Sequence, residues 1–168
     1  GDEPALVRAL NLSGWAALEA GDIEIAQRTL GDALIRARVV GDDASLSNVL
    51  HSHGEMQRRL GNFAEAREQL EDSLALARTS GWRNQLWWPT WSLAALARQE
   101  GRLEDAEQLV TEAEALAPRI NRAMRLADCK NERALIAEAR GDETAAQQFR
   151  HEANALRSEA AARSSADA

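Results

Sequence analysis

Apolar residues return every three or four positions along most of this chain. Ile23, Ala26, Leu30, Ala33 and Leu34 form one such run, Phe63, Ala66, Leu70 and Leu74 a second, and Leu103, Ala106, Leu109, Val110 and Ala113 a third. That spacing lays one apolar stripe along an amphipathic helix. Ala, Leu, Glu, Arg and Gln, all strong helix formers, fill the intervals. No stretch alternates apolar and polar residues, so no sheet is predicted. The runs are punctuated at a fixed interval. Gly21-Asp22, Gly61-Asn62, Gly101-Arg102 and Gly141-Asp142 fall 40 residues apart, and Gly1-Asp2, Gly41-Asp42, Gly81-Trp82 and Asn121-Arg122 repeat the mark half a period away. Glycine and asparagine tolerate the left-handed conformation that ends a helix. Acidic residues follow each mid-repeat glycine, where they suit the positive end of a new helix. The pattern predicts eight helices near 3–20, 23–40, 43–60, 63–79, 83–100, 103–117, 119–140 and 143–162.

The 40-residue period also aligns small residues. Gly14, Gly54, Ala94 and Ala134 sit midway in the first helix of each unit, and Ala26, Ala66, Ala106 and Ala146 sit early in the second. Leu30, Leu70 and Val110 follow four positions later, then Ala33, Ser73, Ala113 and Ala153, and Pro118 stands near the end of the third unit. These residues resemble the tetratricopeptide repeat family over essentially the whole chain. The departures are a missing aromatic early in the first helix, Arg150 in place of a bulky apolar residue, and a unit longer than the usual length of about 34. Units of this length are similar to arrays attached to bacterial signal-dependent regulators, and to those of metazoan spindle-orientation scaffolds. The resemblance implies an all-α, right-handed superhelical solenoid of four helix-turn-helix repeats, about 3–40, 43–80, 83–118 and 119–162. These are expected in a single domain over 1–168, with 163–168 as a disordered tail.

Charge and composition narrow the function. The net charge of -7 over 168 residues disfavours direct nucleic-acid binding, which needs a basic face. No apolar run approaches the roughly eighteen residues of a membrane span, and no signal peptide is visible. Cys129 is the single cysteine, so a cytoplasmic setting is the default. All basic residues but Lys130 are arginine, an association with GC-rich, bacterial coding. No phosphate-binding glycine loop, zinc-protease motif or nucleophile elbow occurs, so we expect no enzyme, no catalytic residues and no cofactor. His51 and His53 lie two apart and so face different ways on a helix, which argues against a metal site. The last helix reads as a polar cap over a thin stripe of Ala145, Phe149, Ala153 and Leu156. The first begins directly with Leu6, Val7, Leu10 and Leu12. Either more protein precedes Gly1 or this face meets something else, and we expect Leu6 and Leu10 partly exposed or buried in a homodimer contact.

In the implied architecture the first helix of each repeat lines the concave wall. The predicted rows are Asn11, His51, Trp91 and Asn131; Arg8, Asn48, Trp88 and Asp128; and Trp15, Glu55, Ala95 and Leu135. Two further rows hold Leu18, Arg58, Arg98 and Glu138, and Glu19, Arg59, Gln99 and Ala139. Asparagine carboxamides can bond an extended peptide backbone, arginines can grip a carboxylate, and tryptophans supply large anchors. The leading expectation is a scaffold that binds a protein or an extended peptide carrying carboxylates, within a larger bacterial regulatory or signalling protein. The alternatives are a small-molecule effector domain and a structural self-association array. Of Trp82, Trp87, Trp88 and Trp91, about half are expected in the core and half in the groove. Pro89 should end or kink its helix if it lies past the first turn.

Overall fold

A computed structural model describes residues 2–81 and 85–166; Trp82 lies outside the described residues. Among these, the structure is helical throughout and contains no strand. The helices are α1 (Glu3–Ala20), α2 (Ile23–Val40), α3 (Asp43–Arg59), α4 (Phe63–Thr79), α5 (Trp87–Gln99), α6 (Leu103–Leu116), α7 (Arg122–Ala139) and α8 (Glu143–Ala166). The chain divides into two compact units, Gly1–Pro89 and Thr90–Ala168.

The turns follow from the glycine marks. Gly61 has φ +83°; its N–H bonds the Arg58 carbonyl at 3.1 Å, and the N–H of Asn62 reaches back to Gln57 at 2.9 Å. This closure satisfies the carbonyls a helix end leaves unbonded. The same bond pair recurs at Gly21, Gly101 and Gly141. At the half-period, Asn121 substitutes for glycine at φ 58°. Asp2, Asp42 and Asp142 then cap new helices by accepting from the N–H groups of Ala5, Ser45 and Ala145.

Within the first unit, α1 packs on α2 and α3 on α4, and α1 also touches α3. One cluster buries Val7, Ala33, Leu34, Ala37, Val49 and Leu50, and another Ala17, Leu18, Ala26, Leu30 and Met56. The small residues set the helix spacing. A Cβ on Gly14 would stand 2.6 Å from Leu30 Cγ, and one on Gly54 3.0 Å from Leu70 Cγ. Ser47 and Ser73 exchange hydroxyl-to-carbonyl bonds of 2.9 and 2.8 Å across the α3–α4 crossing, so these buried polar groups satisfy each other. In the second unit Ala94, Ala106, Val110, Ala113, Ala134, Ala146 and Ala153 are buried at the corresponding positions.

Two expectations change. The third repeat's first helix starts at Trp87 rather than near 83, which puts Pro89 in its first turn, where its missing N–H would have no helical partner anyway. No kink is therefore required of it. At the other end, α8 continues to Ala166, so 163–166 is helix and not disordered tail; the Glu159-Ala160-Ala161-Ala162 run favours continuation. Leu6 is 40% exposed, while Leu10 packs against the first core cluster.

Candidate functional site

The first helices of successive repeats present equivalent residues side by side, and in the first unit this builds a groove along α1 and α3. Arg8, Asn11 and Asn48 line a cavity of about 490 Å³ together with Leu12, Asp42 and Gln85. Asn11, Leu12 and Asn48 also line a second cavity of about 300 Å³, whose far wall is Trp15, His51 and Trp88. The cavities thus adjoin through shared residues. Arg8, Asn11, Trp15, Asn48, His51 and Trp88, all expected in the wall, come together here.

The aromatic wall is a packed trio. Ring centroids lie 5.7 Å apart for Trp15 and His51, 5.8 Å for His51 and Trp88, and 6.4 Å for Trp15 and Trp88, the last pair edge-on. Trp87 meets Trp88 edge-on at 5.0 Å and is itself 1% exposed. Trp87 is thus a core residue, whereas Trp88 and Trp91 are half-buried. His51 is buried, and desolvation pushes its pKa down to about 4, with Glu55 pulling it up and Arg58 and Arg59 down. It is neutral at pH 7. His53 faces elsewhere and shares a 2.7 Å bond between Nδ1 and Gln69 Oε1.

The arginines of the expected basic strip are engaged in ion pairs. Arg58 donates from Nε and Nη2 to the two oxygens of Glu55 at 2.9 and 2.6 Å. Arg59 donates from Nε to Glu55 Oε1 at 3.0 Å and from Nη2 to Glu19 Oε1 at 2.6 Å, with its guanidinium 5.7 Å from the Trp15 ring centre. Burial penalises the Glu55 carboxylate, but the Arg58 and Arg59 guanidiniums more than offset this and hold its pKa below the ordinary range. Glu55 is therefore the buried anchor of an ion network rather than a ligand contact, being 0% exposed. A buried carboxylate draws in every cation within reach, and rows read from sequence cannot show that.

Trp91, Arg98 and Asn131 belong to the second unit, where the inward positions are also engaged. Arg98 Nε donates to the buried Glu132 at 2.5 Å. With its carboxamide oxygen turned toward Arg157, Asn131 accepts from that guanidinium, which also reaches Asp128 at 3.5 Å.

Sequence reasoning missed Asp42, Ser45 and Gln85 as groove residues. Ser45 and Gln85 stand 40 apart, so the rule that paired His51 with Trp91 would have paired them. Asp42 caps α3 while lining the same cavity; its bonds from Ser45 hold its carboxyl below the usual range, aided by Arg8. Among the described residues no cluster of His, Cys, Asp and Glu is placed to hold a metal, and no helix is long and apolar enough to cross a membrane.

Comparison with known proteins agrees with the helical-repeat fold. Across 94% of this chain and 64% of its own, BtubC (BKLC) from P. vanneervenii superposes with a TM-score of 0.74 at 23% identity. The chain thus spans 64% of that protein's length. A putative kinesin light chain of Podosopora anserina, with nearly identical TPR-like repeats, matches 95% of this chain and 99% of its own at TM-score 0.62 and 13% identity. At these identities the likeness shows the fold. No curated protein matches in sequence. The tetratricopeptide repeat model matches residues 6–79, which hold most of the cavity-lining residues but not Gln85 or Trp88. Over that segment the chain is similar to the tetratricopeptide repeat family.

Proposed function

We propose that the groove of the first unit holds an extended segment of a partner protein, and that the chain is a binding scaffold with no chemistry of its own. The observation that carries this reading is the pair of adjoining cavities sharing Asn11, Leu12 and Asn48. Two cavities in series suit a chain that seats successive side chains better than one compact effector. Half-buried Trp88 offers an anchor with one apolar side and one wet side, and the asparagine carboxamides can both donate and accept. Tetratricopeptide repeats generally mediate protein–protein binding, which supports the same conclusion. We place the module in the cytoplasm, within a larger bacterial regulatory or signalling protein; its lone buried thiol and its 40-residue unit favour that setting.

The test is titration with a library of extended peptides, followed by tryptophan emission. Binding should change the emission, and Asn48→Ala and Trp88→Ala should each weaken it by about tenfold or more. A response only to small metabolites would replace this reading with an effector domain, and no response to either would leave a structural array.

A further inference from the structure

We infer that the groove selects a peptide segment free of carboxylates, one that brings N–H donors to the wider cavity while an apolar or aromatic side chain rests by Trp15 and Trp88. This rests on the peptide-binding reading above and assigns the chemistry of its ligand.

Three independent observations converge. The first is the state of the cations. Arg58 and Arg59 are held by Glu55 and Glu19. A ligand carboxylate would have to displace Glu19 from Arg59, exchanging one carboxylate partner for another while releasing a charge into water. An exchange of like for like supplies little net attraction.

The second is the character of the cavity wall. The carboxamide oxygens of Asn11 and Gln85 are buried and have no hydrogen-bond partner within the protein, and both side chains line the larger cavity. A buried acceptor without a donor is costly, so a ligand that arrives with N–H groups gains what the protein has left unmade. A carboxylate sets acceptor against acceptor and gains nothing there.

The third is the sign of the fixed charge. The Asp42 carboxylate lines the same cavity and stays ionised through its bonds from Ser45. Arg8, exposed on the same wall, attracts Asp42 weakly, so the two opposite charges of this cavity offset each other. The chain as a whole carries -7, so its field slows the approach of an acidic segment rather than steering it in.

Three peptides with one common apolar core and flanks of Glu, Gln or Lys separate the possibilities, titrated into the full chain at low and moderate salt. The Gln- and Lys-flanked peptides should bind about tenfold or more tighter than the Glu-flanked one. Asn11→Asp keeps an acceptor at the site and should hold Gln-peptide affinity within about threefold, while Asn11→Leu should lose about tenfold, with helicity checked for each variant. Tightest binding by the Glu-flanked peptide, weakening with salt, would overturn the inference and leave the peptide-binding reading standing. A larger loss with Asn11→Asp than with Asn11→Leu would overturn it too, by showing that the position donates. Failure of all three peptides to bind would overturn both.

Discussion

Arg59 of α3 reaches across to Glu19 of α1 at 2.6 Å, and the two residues occupy the same position of successive repeats. In the first two repeats the row that the period aligns is therefore paired by opposite charge. Because Arg59 also donates to Glu55 and lies over Trp15, this one side chain joins the ion network to the aromatic wall of the groove.

The members of that network differ in burial, and their removal should differ accordingly. Glu55→Gln leaves Arg58 buried without its carboxylate and should cost about 3–5 kcal/mol of stability. Glu19 is half exposed, so Glu19→Gln should cost less than about 1 kcal/mol. Urea denaturation of the two variants checks the order; equal losses would mean that Glu55 is not the anchor.

Close approach at the mid-helix glycines makes a second comparison. A Cβ on Gly14 meets Leu30 at 2.6 Å from Cγ and 3.2 Å from the backbone nitrogen, whereas Gly54 faces Leu70 Cγ at 3.0 Å. Gly14→Ala should therefore destabilise more than Gly54→Ala, despite a helix-propensity gain of about 1 kcal/mol in each. Gly54→Leu should cost roughly 1–3 kcal/mol or more through overpacking. Thermal melts of the three variants decide it, and an unchanged curve for Gly54→Leu would refute the packing.

His51 sets a pH dependence. Its folded pKa of about 4 lies below the ordinary 6.5, so the unfolded chain takes up a proton that the native state refuses. Its contribution is fully present above pH 6.5 and is lost progressively as pH falls toward 4, by about 3 kcal/mol in all. The groups around it are Trp15 and Trp88, which do not titrate there, and Glu55, Arg58 and Arg59 on its own helix. His51→Phe should flatten the stability profile across that window, as measured by denaturant midpoints at pH 7, 5.5 and 4.5.

Asn121 holds a left-handed backbone with a side chain present. Asn121→Gly should be neutral or slightly stabilising, and Asn121→Ala should cost about 1 kcal/mol. Calorimetry of both variants reads the difference directly.

What the sequence by itself determined is local. Helix ends depend on which residues accept a positive φ and on which side chains cap an N-terminus, so Gly21, Gly61, Gly101 and Gly141 place their turns without reference to anything distant. The close-packing positions are equally legible, because a missing Cβ at Gly14 or Gly54 has one use in a periodic helix pair. The period also placed Asn11, Trp15, Asn48, His51 and Trp88 on one wall, since equivalent positions of stacked helices must share a face. Charge was decided elsewhere. Whether Arg58 and Arg59 greet a ligand or a neighbour depends on where Glu55 and Glu19 come to rest, and the Coulomb attraction that settles it acts between atoms brought close only by packing. The start of α5 was likewise out of reach, because Trp87 begins it as a side chain buried in the core, and burial is decided by packing.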